Sequence, residues 1–256
     1  ETILSWFKQN QRNLYWRDNR KIYLTYLTEV MLQQTTVSTV QNKLPSILKE
    51  FPDFKSFKFK KIDDFLKCWS GLGYYNRAIN FYKSASIINK NFNGILPEDK
   101  NELLNLPGIG EYTANAIIAI GYNKRAFPVD VNIKRLISRL IKENLTDQQV
   151  SEILDRITFK KRNFRKFAES MMDYSSSICK KNSPQCQECI FQSYCKSAFT
   201  DFKPMKKNEF LSKNINFYLI KAKNKICFIK KPKFQFYKNF KHLPSSLDID
   251  LLNKYK

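Results

Sequence analysis

Along residues 22–51 apolar side chains recur at helical spacing, with Leu24, Leu27, Val30 and Met31 on one stripe. That pattern predicts a helical stretch over Ile22–Phe51. The same periodicity predicts helices over Ile62–Trp69, Asn76–Asn89, Lys100–Leu106 and Ala114–Ile120. After Pro128 the stripe returns at Ile133, Leu136, Ile137, Leu140 and Ile141, and again in Gln148–Ile157 and Phe164–Tyr174. Gly71 with Gly73, and Gly108 with Gly110, interrupt two of the connections as tight turns do. Strand-like alternation starts only near Asn214. There Phe217–Ala222 and Lys225–Lys230 read as two strands joined at Lys223-Asn224. The remaining stretch to Lys256 is too short for an independent sheet domain. The expected class is therefore mainly α, with a small β-containing end.

Composition adds a partner class. The 256 residues hold 45 Lys and Arg against 23 Asp and Glu, a formal charge of +22. Such an excess favours polyanions, because each neutralised phosphate releases condensed counterions. The Lys, Asn, Ile and Phe bias of AT-rich codons explains the same charge equally well. No apolar run is long enough to cross a bilayer, and Glu1–Gln11 lack the basic start and apolar stretch of a signal peptide. The expectation is a cytoplasmic, nucleoid-associated bacterial protein or an organelle equivalent, monomeric and without a membrane partner. The chain opens on Glu1, as a trimmed or partial sequence would.

Four cysteines, Cys179, Cys186, Cys189 and Cys195, lie within seventeen residues at the spacing C-x6-C-x2-C-x5-C. Four thiolates so close in sequence can surround one metal centre. Structural zinc commonly uses two C-x2-C pairs, and here there is one. An iron–sulfur cluster tolerates wider ligand spacing, so spacing favours it while leaving zinc open. Cys68 and Cys227 stand apart and read as ordinary buried thiols.

Leu106-Pro107-Gly108-Ile109-Gly110 joins two helical stretches. Its glycines permit close backbone approach to a ligand, and the next helix start offers unpaired N–H groups suited to a phosphate. The plain alternative is a helix–helix turn. Asp130, just before a strongly periodic helix, is either an N-cap or a carboxylate facing a developing positive charge. Glu29 sits among Leu27, Val30, Met31 and Leu32, where burial raises a carboxyl pKa toward that of a proton donor. A partly exposed glutamate beside Lys or Arg is the competing picture.

Together these features resemble the helix-hairpin-helix superfamily of base-excision DNA glycosylases, from about Leu14 to Cys195. The resemblance is carried by LPGIGEYTA (Leu106–Ala114), PVDVNIKR (Pro128–Arg135) and the cysteine spacing. That spacing is the one the superfamily uses for a [4Fe–4S] cluster, so the resemblance decides for iron–sulfur over zinc at Cys179, Cys186, Cys189 and Cys195. EVMLQQT (Glu29–Thr35) and GLGYYNRA (Gly71–Ala78) look like the MutY-type adenine glycosylases in particular. Endonuclease III-type enzymes place a lysine nucleophile where this chain has Tyr112. The resemblance thus implies a monofunctional enzyme that hydrolyses the glycosidic bond of adenine mispaired with 8-oxoguanine or guanine in double-stranded DNA. The alternatives are a mismatch thymine or pyrimidine glycosylase of the same superfamily, or a catalytically degenerate DNA-binding protein.

The resemblance also implies roles. Glu29 would protonate adenine N7, Asp130 would stabilise the oxocarbenium-like sugar, Tyr112 would assist there, and Asn132 would orient the site. Gln33, Gln34 and Tyr74 would probe and wedge the duplex, while Leu106, Gly108 and Gly110 would meet its backbone. Trp16 and Arg17 match the family's PWR-like start, with Tyr15 in place of proline, and Arg17 is assigned to DNA binding. Lys160, Lys161, Arg162, Arg165 and Lys166 form either a backbone-contact patch or a solvated face.

The implied organisation has a six-helix barrel with the hairpin at 22–130, a cluster subdomain from 1–21 and 131–200, a linker at 201–213, and a partial Nudix-like α/β segment at 214–256. That last segment resembles only the opening strands of the family's 8-oxoguanine-reading domain, as a truncated or degenerate copy would. A degenerate copy would discriminate weakly between 8-oxoguanine and guanine. His242, the only histidine, falls in this segment and is expected to take no part in catalysis. Val131 replaces the family's glycine between Asp130 and Asn132 and is expected to restrict the backbone there.

Overall fold

In the computed structural model, residues 2–157, 163–204, 216–222, 225–228, 243 and 245 are described. Two compact units divide the chain, Glu1–Lys206 and Lys207–Lys256. The first is helical: α1 (Thr2–Asn10), α2 (Tyr15–Asp18), α3 (Ile22–Leu32), α4 (Val37–Glu50), α5 (Ile62–Trp69), α6 (Asn76–Asn91), α7 (Lys100–Leu104), α8 (Glu111–Ala116), α9 (Val131–Ile141), α10 (Asp147–Asp155) and α11 (Phe164–Ser177). Among the described residues no helix is long and apolar enough to cross a membrane.

The stretch predicted as one helix over Ile22–Phe51 is two. Helix α3 ends at Leu32, Gln34 takes a left-handed φ of 57°, and Thr36 caps α4 by accepting from the Thr39 amide. Helix α3 is apolar on nearly all sides, and Tyr23 through Met31 are all buried. It therefore runs through a core rather than over one. That core gathers Leu24, Leu27 and Met31 with Phe51, Phe54, Phe57, Phe65 and Phe81, and tilted rings pack as close as 4.6 Å between Tyr26 and Phe81.

A second core joins the chain's start to its later helices, with Ile3, Ile133, Leu136, Ile137, Val150, Met171 and Tyr174. The stripe predicted after Pro128 is the buried face of α9, begun by an Asp130 N-cap and ended by a left-handed Lys142. Helix α10 begins with a Thr146/Gln149 capping box. Helix α8 starts earlier than the periodicity predicts and runs into a π-turn at Ile117–Gly121.

Between the cores lies a buried ionic knot. Asp173 of α11 accepts from Arg12 Nε at 2.7 Å and from both terminal nitrogens of Arg17, at 2.7 and 2.9 Å. Neighbouring Glu169 pairs with Arg20 and lies 3.8 Å from Arg17. Burial pushes the Asp173 carboxyl up, but the hydrogen bonds and charges of Arg17 and Arg12 outweigh it and hold it below the usual range. The knot fastens the segment before α3 to α11, so charge fixes both walls of the cavity that Glu29 and Arg17 line.

In the second unit β1 (Lys221–Ala222) pairs antiparallel with β2 (Lys225–Ile226), Lys221 opposite Ile226, and Phe217 bridges Ser245. The predicted turn Lys223-Asn224, the end of the second predicted strand, His242 and most of the expected linker lie outside the described residues.

Candidate active site

Glu29 sits in the last turns of α3, 7% exposed. It lines a cavity with Trp16, Arg17, Thr28, Leu32, Ile120 and Met172. Desolvation pushes its carboxyl up; a hydrogen bond from Tyr112 and the charge of Arg17 oppose this, Asp130 and Glu169 add to it, and the balance is about 7. Tyr112, one residue into α8, donates from its hydroxyl to Glu29 Oε2 at 3.1 Å. Burial and the nearby Glu29 carboxylate hold that phenol well above its ordinary range, so it stays a donor. On its other side Tyr112 opens on a cleft of about 410 Å3 between α8 and α10, shared with Asn115, Val129 and Ser151.

Asp130 is placed differently. Its Oδ1 accepts from the amides of Asn132 and Ile133 at 2.9 and 2.7 Å, and its Oδ2 from Asn132 Nδ2 at 2.8 Å. The N-terminal end of α9 favours negative charge there. Asn132 in turn accepts from Arg135, whose other nitrogens reach the carbonyls of Cys179 and Ser175. Val131 has negative φ and stands 58% exposed in the first turn of α9. The backbone restriction expected of valine therefore costs nothing here, since this position needs no glycine freedom, and Asp130 is aimed by three hydrogen bonds.

The residues expected to probe a duplex lie on turns. Gln34 is exposed and left-handed, and Tyr74 is 59% exposed with φ 45° after Gly71 and Gly73, both of positive φ. Gln33 is half-buried and donates to Thr113 Oγ1 at 3.3 Å. In the hairpin Leu106 is core. Gly108 has φ 81°, and a Cβ there would meet Asn80 Cβ at 2.8 Å, so its glycine is required by the backbone and by packing against α6. Gly110 is exposed and a Cβ there would meet nothing within 4 Å, so packing does not require its glycine.

Arg17 faces inward. It is 9% exposed, held by Asp173, and lines the Glu29 cavity. Arg165 likewise spends its guanidinium on the carbonyls of Ile120 and Gly121, while Lys160, Lys161 and Arg162 lie outside the described residues. Glu169, Met172 and Ile120 complete the cavity without any local signal in sequence. They reach it from segments more than ninety residues away from Glu29.

The four clustered cysteines line one further cavity with Leu136, Arg139, Ile178 and Pro184. Arg139 donates to Cys179 Sγ at 3.5 Å, and Tyr174 to Cys189 Sγ at 3.0 Å. Among the described residues no group of three His, Cys, Asp or Glu side chains is close enough to hold a single metal ion.

Such a helical scaffold, with a glycine hairpin, a buried glutamate–tyrosine pair and an aspartate that caps a helix, has known counterparts. A family profile for the HhH-GPD superfamily of base excision DNA repair proteins matches residues 27–159. The adenine DNA glycosylase of Buchnera aphidicola subsp. Acyrthosiphon pisum is 39% identical over 76% of this chain and 57% of its own length. That of subsp. Baizongia pistaciae is 34% identical over 99% of this chain and 71% of its own. A thermostable thymine-DNA glycosylase superimposes with a TM-score of 0.71 at 26% identity, over 76% of this chain and 92% of its own. The chain belongs to the HhH-GPD superfamily of base excision DNA repair proteins.

Proposed function

We propose that this chain is a monofunctional adenine DNA glycosylase acting on adenine opposite 8-oxoguanine or guanine in duplex DNA. The observation that carries the reading is Glu29, a buried carboxyl raised to about 7 by desolvation, at the wall of a cavity and hydrogen-bonded by Tyr112. Both Buchnera relatives are named adenine DNA glycosylases, which favours the same base here.

In this reading the target nucleotide leaves the stack and brings its base to Glu29, with its strand in the cleft beside Tyr112. Protonated Glu29 gives its proton to adenine N7 as the glycosidic bond breaks, and the bonding pair leaves with the base. Asp130 faces the oxocarbenium-like sugar as a fixed negative charge, with Asn132 holding its aim. Ionised Glu29 then takes a proton from the water that adds to C1′, which restores the acid and leaves an abasic site. Tyr112 occupies the position of the lyase lysine, so no amine is offered there to the sugar.

Gln33, Gln34 and Tyr74 probe the duplex, and Leu106, Gly108 and Gly110 present the hairpin to a phosphate. Arg17 serves by shaping the cavity beside Glu29. Cys179, Cys186, Cys189 and Cys195 would hold a [4Fe–4S] cluster: four thiols surround one cavity, and Arg139 beside Cys179 suits the negative charge of thiolate ligands. Bound, the cluster would close the 179–195 loop on itself, beside Arg139 of α9.

Single-turnover cleavage of a duplex with one adenine opposite 8-oxoguanine, read with and without alkali, tests the reading, beside a guanine–thymine duplex. Alkali-dependent breakage at adenine is expected. Breakage only at thymine would transfer the activity to the specificity named for the thermostable structural relative. Tight binding without product would leave a DNA-binding protein.

A further inference from the structure

The DNA-facing turns of the first unit share one support, helix α6. Arg77, in its first turn, donates from Nη1 to the carbonyls of Val30 (3.0 Å), Met31 (2.8 Å) and Gln33, and from Nη2 to Thr35 Oγ1 (3.0 Å), Leu72 O (3.0 Å) and Gly73 O (3.4 Å). One and two turns further on, Asn80 packs against Gly108 and Ser84 Oγ donates to the Pro107 carbonyl at 2.8 Å. The spacing i, i+3, i+7 puts all three on one face of the helix.

Capping of α3 alone would account for half of these bonds, because a helix end leaves carbonyls without partners. It does not account for the other nitrogen, which holds the Gly71–Tyr74 loop. Nor does it account for the guanidinium lying 5.4 Å from the Trp69 ring and 5.5 Å from Tyr74. Gln34 and Tyr74 are both non-glycine residues with left-handed φ, one in each of the two segments that Arg77 grips. Such conformations persist only where surrounding contacts over-determine them. Both side chains are exposed, so that strain buries nothing.

We propose that Arg77 is a positioning residue for base extrusion: it locks the Gln33–Gln34 turn and the Tyr74 loop into one rigid wedge, fixed to the helix that carries Glu29. The inference rests on the glycosylase reading for what the wedge does. A lysine cannot replace it, since one ammonium cannot reach two groups of acceptors in a planar fork. A pre-formed wedge carries no ordering cost when it enters the duplex.

The test compares two substrates. One holds the target adenine in a mispaired duplex; the other holds it in a three-nucleotide bubble, where unstacking has already occurred. Arg77→Met is expected to slow single-turnover excision about 100-fold on the duplex and less than about threefold in the bubble, as loss of positioning without loss of chemistry requires. Arg77→Lys should fall between, with the alkaline limb of its pH profile unchanged. Equal losses on both substrates would overturn the proposal, since a variant that merely damages the fold or Glu29 cannot distinguish them.

Should the wild-type chain excise neither adenine, the glycosylase reading fails and the wedge is judged by binding. A duplex with 2-aminopurine at the target position should brighten with wild-type protein and not with Arg77→Met. Brightening by both, or by neither, would sink the proposal. Far-ultraviolet circular dichroism checks the fold, and if Arg77→Met does not fold, Arg77→Lys carries the same comparisons.

Discussion

Glu29 and Asp130 are both carboxylates in one site, yet their surroundings are opposites. Glu29 is buried in a cavity lined by both apolar and charged side chains, and among the described residues it accepts one hydrogen bond, from Tyr112; burial outweighs that bond and holds its proton to about pH 7. Asp130 caps a helix and accepts three hydrogen bonds through two oxygens. The first environment suits a group that must give up and regain a proton, and the second a group that must be held still. Environment rather than residue type divides the labour, as in other sites built on paired carboxyls.

The sharpest way to break that contrast is Glu29→Gln, which keeps shape and removes the titrating proton. Single-turnover adenine excision is expected to fall about a thousandfold or more, within the range for a lost general acid. A loss of less than tenfold would move the acid elsewhere. Next comes Asp130→Asn. Asparagine caps helices about as well, so the melting temperature should hold while excision drops about 100-fold through loss of the fixed charge. A variant that loses stability and rate together would make Asp130 a cap and nothing more.

A smaller effect sharpens the electrostatics. Wild-type excision should decline as pH rises through about 7, where Glu29 loses its proton. The Tyr112 hydrogen bond holds that value down, so Tyr112→Phe should move the decline to higher pH, measured as the midpoint of rate against pH. A downward move would contradict the geometry. The same raised value bears on stability: the contribution of protonated Glu29 is complete below the ordinary glutamate range of about 4.3 and is lost as pH rises through 7. Val131→Gly is expected to do least, changing excision by less than about threefold, because Val131 is exposed and Asp130 is aimed without it. A large fall in rate would make the valine side chain part of the site.

Much of this is legible along the chain. Helices α5, α6, α9 and α11 keep close to their apolar periods, and the four apolar neighbours of Glu29 predict its burial. The break after Leu32 is not legible, because Arg77 captures the carbonyls of Val30, Met31 and Gln33 from some forty-five residues away. The inward turn of Arg17 is hidden for the same reason, since Asp173 lies 156 residues along. Helix α2 has four residues, too few for a period to show.

The helical class, the superfamily, the hairpin and the residue types on which the proposed chemistry rests are readable from the chain alone. Those come from local periods, turn residues and short motifs, which are written in neighbouring positions. Which cavity Glu29 enters, what holds its proton, and how Arg77 bonds to two turns at once are set only on folding. Desolvation and charge act through space, and the residues that supply them come from segments that meet only when the chain has folded.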